Sequence, residues 1–128
     1  MLLDETLVFS EEQKITAEAP STNVVDQGAA GDAYNALWVV VNVKEDFAGA
    51  DYLDVDVETA EDASFSDAKV LASVQAPAAA LKKGETIVAL RLPAGCDRFI
   101  RLNYVPTGSP STGKVKAFLT DMAPIGHK

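Results

Sequence analysis

The chain reads as an all-β protein: an antiparallel β-sandwich, jelly-roll-like, with very little helix. Three observations predict this. Apolar residues alternate with polar ones far more often than they recur at helical spacing. Short strand-like runs are separated by turn signals: Gln27-Gly28, Gly31-Asp32, Phe47-Ala48-Gly49, Lys82-Lys83-Gly84, Pro93-Ala94-Gly95 and the stretch 106–113. The composition, 48% hydrophobic and 23% charged over 128 residues, fits one globular domain that buries a core without metal or disulfide help.

The elements follow in order. Residues 1–10 carry Leu2, Leu3, Leu7, Val8 and Phe9, too apolar for a solvated tail, so this segment is expected to pack on the domain or on a partner. Residues 4–10 have room for a helical turn. Residues 13–17 alternate weakly and residues 23–26 are rich in β-branched side chains, so both are short strand candidates. Leu37-Trp38-Val39-Val40-Val41-Asn42-Val43 is apolar on both faces, as in a central strand covered on both sides. In Leu53-Asp54-Val55-Asp56-Val57-Glu58-Thr59 the alternation is clean: Leu53, Val55 and Val57 face in and the three acids face out. Residues 61–68 suit a turn and residues 69–74 a strand. Pro77 makes residues 76–81 a loop or single turn despite their alanines. Residues 85–92 alternate again, with Val88, Leu90 and Leu92 inward and Arg91 outward.

Two strands are expected at the end, 98–104 and 114–119, joined by the Pro/Gly/Ser/Thr loop. Ile100, Leu102 and Tyr104 share one face, as do Val115, Ala117 and Leu119, and these apolar faces build core. The opposite faces carry Phe99, Arg101 and Asn103, then Lys114, Lys116 and Phe118. Arginine beside aromatic residues on a surface is typical of interface anchors. The candidate partner interface is therefore Leu3, Phe9, Arg98, Phe99, Arg101, Asn103, Lys114, Lys116 and Phe118. The alternative for Phe99 and Phe118 is that the N-terminal segment covers them. Charge reversal at Arg101 and Lys116 is expected to cost assembly and spare the fold. The tail 123–128 has no strand pattern and is expected to fray or to reach a neighbour.

Charge is polarised along the chain. Residues 1–67 hold sixteen acids against two bases, a balance of -14. Residues 68–128 hold nine bases against three acids, a balance of +6, and the two return the net -8. Either strands of the two halves interleave and pair opposite charges, or the surface is bipolar and steers docking.

Catalytic constellations are scarce. The single histidine, His127, lies at the tail, where no fixed geometry supports a general base. Cys96 has no disulfide partner within the chain, which suits synthesis in a reducing cytoplasm, and reads as a structural thiol. Two Cys/His residues are too few for a zinc site. Asp54, Asp56 and Glu58 project from one strand face about 6–7 Å apart, too spread for one calcium ion unless a loop such as 46–51 folds over it, so they read as a solvated acidic face. Scattered glycines form no phosphate cradle, and the acidic balance disfavours nucleic acid. No apolar run reaches the roughly 18 residues of a membrane span, and the N-terminus lacks a signal-peptide pattern. No cofactor is implied.

Read in order, Phe9-Ser10, Gln13, Ile15-Thr16-Ala17, Ser21-Thr22-Asn23-Val24-Val25-Asp26, Val55-Asp56-Val57-Glu58-Thr59, Phe65-Ser66, Arg98 to Tyr104 and Thr112-Gly113-Lys114-Val115 resemble a family of bacteriophage capsid cement (decoration) proteins of short-tailed phages. The match covers nearly the whole length. The resemblance implies a jelly-roll-like sandwich without catalytic residues, forming homodimers or another oligomer on the outer surface of the virion. Its implied partner is a major capsid protein of the HK97-like fold, with no nucleic acid or membrane engaged. The competing function is a non-enzymatic carbohydrate- or protein-binding sandwich of a virion or adhesin, which would need exposed aromatics lining a groove.

Overall fold

The computed structural model describes residues 7–27 and 37–120. Seven strands follow in chain order: β1 (Val8–Lys14), β2 (Ala19–Pro20), β3 (Val25–Asp26), β4 (Trp38–Ala60), β5 (Lys69–Pro77), β6 (Thr86–Arg91) and β7 (Phe99–Thr120). One three-residue 3-10 turn, Ala78–Ala80, follows β5. All pairings are antiparallel and join the strands into one sheet. The protein is all-β.

The two long strands organise everything else. β4 and β7 run beside each other from Trp38 opposite Thr120 to Ala60 opposite Phe99. A straight strand of 23 residues would be about 75 Å long, against a radius of gyration of about 14 Å for a domain of this size. The ribbon therefore has to bend. It does so where the β4–β7 ladder loses register, between Val43 and Tyr52 of β4. On one side of the bend the order is β1-β7-β4-β6. On the other, β2 and β3 flank β7 while β5 flanks β4. Val39, Val41 and Val43 from the first half share one core with Leu53, Val55 and Val57 from the second, together with Ile100, Leu102, Tyr104, Val115, Ala117 and Leu119. One sheet thus folds over itself into a sandwich-like pair of layers.

The bend explains two sequence signals that misled. Phe47-Ala48-Gly49 and the stretch 106–113 read as turns, yet both lie within strands. The two expected closing strands are halves of one strand, and each half pairs with β4 instead of with the other. Glycine is needed here because the chains touch. Gly108 has φ +102, and a Cβ on it would stand 2.6 Å from the carbonyl oxygen of Gly49. Gly113 has φ +139 and backs onto the buried Phe47 ring, which a Cβ would strike. Pro106 and Pro110 are tolerated because β1 and β2 pair with β7 only outside residues 105–113.

The inward faces agree with the alternation: Leu53, Val55, Val57, Val88 and Leu92 are all buried, and Arg91 is exposed. The central strand is covered on both faces. Val40 lies opposite the main core in a second cluster with Val8, Phe118 and Trp38. Residues 8–10 are strand, because their backbone pairs with β7, while Leu7 just before them is in a 3-10 turn; the rest of the expected helical turn, residues 4–6, lies outside the described residues. Leu3, His127, the tail 123–128 and the Gly31-Asp32 turn lie outside the described residues.

Candidate interaction surface

Of the expected anchors, Phe9 changes role. Its side chain is fully buried in the main core, so it holds the fold and offers nothing to a partner. β1 sits against β7 with Val8 opposite Phe118, and Phe118 is covered by Val8, Val40 and Trp38. It too is packing, covered by the N-terminal strand.

Phe99 stays half-exposed at the start of β7, with the Arg98 guanidinium 4.9 Å above its ring. Arg98 also grips Asp26 of β3 through two bonds of 2.9 Å. That contact raises the arginine's already high pKa. Arg101 is held more tightly. It donates to Glu58 of β4 at 2.8 Å and lies 4.3 Å over the Phe65 ring. The pair is largely sheltered, with side-chain exposures of 23% and 12%. Phe65 reaches this place with φ +56, a strained conformation for an aromatic residue. The turn beneath it is tied by Asp62, which accepts from the backbone and the hydroxyl of Ser66; these bonds hold the Asp62 carboxyl below its usual pKa. Sequence reasoning passed over Phe65 in this role; the Asp62…Ser66 spacing was the available signal.

Across β7, Asn103 donates to Glu18, and Lys116 reaches Glu11 at 3.6 Å. Lys114 forms no ion pair with the described residues; its cross-strand neighbours are Lys14 and Glu45. Three of the ion pairs, those of Arg98, Arg101 and Lys116, join a base of the second half to an acid of the first. Interleaved pairing thus accounts for much of the charge asymmetry. Reversing Arg101 would set two acids face to face and damage the fold, contrary to the expectation from sequence. Lys114, and Lys116 with only its 3.6 Å contact to exposed Glu11, remain the basic residues least tied to the fold; half-exposed Phe99 lies in the other half of β7, across the bend.

The other chemistry is structural. Asp56 accepts from Ser73, and Glu58 is bound to Arg101. Among the described residues, no three His, Cys, Asp or Glu side chains gather to hold a metal ion. Cys96 is buried, and its thiol donates to the Pro93 carbonyl at 3.3 Å. Tyr104 is buried against Ser10, hydroxyl to hydroxyl at 2.7 Å, and burial raises its pKa. Lys69 is drawn to Asp97 at 2.9 Å, which raises its pKa. Among the described residues Tyr52 is the one exposed aromatic, and Trp38 and Phe99 are half-exposed.

No curated protein matches the chain significantly. The family model described as Bbp16 matches residues 9–119, from the first core phenylalanine to the last core leucine of β7. The chain belongs to the Bbp16 family, a phage-associated family.

Proposed function

We propose that this protein is a capsid cement protein. It binds the outside of a phage head, bridges subunits of an HK97-like major capsid protein and stabilises the shell. The observation that carries this reading is membership of a phage-associated family across residues 9–119, taken with the whole-length resemblance to cement proteins in the order of their strand motifs. A bent two-layer sheet tied by cross-strand ion pairs is a rigid body suited to clamping a seam. Every copy bound to the assembled shell and not to its free subunits stabilises the shell by mass action. Many copies acting together make modest single-site affinity sufficient. The net charge of -8 keeps coated particles apart. Lys114, which forms no ion pair with the described residues, and Lys116, held only by a 3.6 Å contact to exposed Glu11, are the docking charges.

The test is cosedimentation with heads that lack the protein. Wild type is expected to bind, and Lys114→Glu/Lys116→Glu to bind at least about tenfold more weakly with an unchanged melting temperature. Wild-type protein that stays in the supernatant at saturating concentration would overturn the cement reading. A double variant that binds as wild type would move the docking face elsewhere.

A further inference from the structure

We infer that the bend end of the β1-β7-β4-β6 layer is a basic docking band, formed by Lys14, Lys44, Lys82, Lys83 and Lys114, and that its partner is a carboxylate-lined face of the capsid shell. This deepens the cement reading and rests on it for the shell as partner.

Every Lys and Arg but Lys128 lies in the described part of the chain, and these ten side chains divide into two groups. Five are engaged within the fold: Lys69, Arg98, Arg101 and Lys116 with acids, and Arg91 with the Trp38 ring at 5.7 Å. The other five form no ion pair among the described residues, and they gather at one place. Lys14 of β1 stands opposite Lys114 of β7. At the register slip in β4, Lys44 and Glu45 share the place opposite Lys114. The turn that carries Lys82 and Lys83 is bonded to Val43 on the far side of β4: the Val43 N–H donates to Glu85 at 2.8 Å, and the Gly84 N–H to Val43 at 2.9 Å. The five amines thus cross four neighbouring segments of chain, a width of about 14 Å at the usual strand spacing. Lys14 precedes buried Ile15, Lys44 follows buried Val43, and Lys114 lies between buried Gly113 and Val115, so alternation turns all three to the outer face of the layer.

The fold does not ask for this arrangement. Like charges directly opposite on neighbouring strands are destabilising, and Lys14 and Lys114 are such a pair. The nearest acids of β4 do not offset them. Glu45 turns its carboxylate to the Gly113 N–H at 3.0 Å, and Asp46 turns its own to the Lys83 N–H at 2.6 Å. In a chain of net charge -8, an uncompensated basic band is complementary to an acidic surface outside the chain. Two acidic surfaces compete for it, a protein face and a nucleic acid. The composition of the band favours the protein. All five bases are lysines, compact charges that suit separate carboxylates, with no arginine fork for phosphate and no exposed aromatic ring for base stacking among them. Glu45, Asp46 and Glu85 stand between the lysines and would oppose the closely spaced phosphates of a duplex.

The test is carbodiimide cross-linking of the full chain bound to heads that lack it, followed by sedimentation and mass spectrometry of the joined peptides. The reagent links an amine to a carboxylate in contact with it. Cross-links from the lysines of the band to Asp or Glu of the major capsid protein are expected. The variant Lys14→Gln/Lys44→Gln/Lys82→Gln/Lys83→Gln breaks no ion pair among the described residues. It is expected to melt no lower than wild type and to bind heads at least about tenfold more weakly, with a shallower loss of affinity as salt rises. Bound protein whose cross-links to the shell lie on other lysines only, or a variant that binds as wild type, overturns the inference and leaves the cement reading standing. Protein that does not sediment with heads overturns the cement reading, and the inference with it. Wild type that binds a short DNA duplex as tightly as it binds heads, and loses that binding in the variant, assigns the band to nucleic acid and overturns the inference as well.

Discussion

Arg101 and Arg98 make ion pairs of nearly equal length, 2.8 and 2.9 Å, yet removing them should have unequal consequences. Arg98 and Asp26 are about half exposed, so water replaces the contact and Arg98→Ala should leave stability unchanged within error. Arg101→Leu strips the cation from Glu58, whose side chain is 12% exposed, and from the Phe65 ring 4.3 Å away. A lost charged hydrogen bond in such a setting costs about 1.5–3 kcal/mol, and the ring contact adds about 0.5–1. Because the two overlap, a total of roughly 2–3 kcal/mol follows, which lowers the melting temperature of a 128-residue domain by about 10 °C. Urea denaturation of the single variants and of Arg101→Leu/Glu58→Gln measures this, with a coupling energy of about 1 kcal/mol or more in the double-mutant cycle. Equal losses for the Arg98 and Arg101 variants, or a coupling near zero, would refute the claim that shelter decides which ion pair matters.

Other outcomes follow from the same structure. Gly113→Ala should cost roughly 1–3 kcal/mol in denaturant melts, through its φ of +139 and the collision with Phe47, whereas Gly84→Ala meets open space and pays only for its backbone angle. Tyr104 and Lys69 both have folded-state pKa values raised above their ordinary ones. Their stabilisation is therefore complete below about pH 10 and falls as pH rises further. Tyr104→Phe should flatten part of that alkaline decline in thermal melts and lose about 1 kcal/mol at neutral pH with the Ser10 hydrogen bond. Cys96 should react with an aromatic disulfide reagent only as fast as the chain opens, and within seconds in strong denaturant.

Much of the fold was legible because alternation is a local property. Leu53, Val55 and Val57 declare their face within seven residues, as do Ile100, Leu102 and Tyr104, and burial follows. The bend was not legible. Glycine and proline mark a tight turn and a bulged corner alike, and only the partner strand decides which one forms. At Gly49 and Gly108 that partner lies about sixty residues away in sequence. The candidate surface was legible in composition and not in availability. Phe9 and Phe118 are as apolar as Phe99, but cross-strand neighbours bury the first two and leave the third half-exposed. Arg101 looked like a docking charge because Glu58 and Phe65, its partners, sit 43 and 36 positions earlier.

The most direct measurement is the thermal disruption temperature of phage heads with and without this protein, read by light scattering at matched head concentration. Binding to the assembled shell predicts a rise that saturates with added protein and an extra layer of density on the outside of the particles by electron microscopy. Equal disruption temperatures with no external density would contradict the cement role.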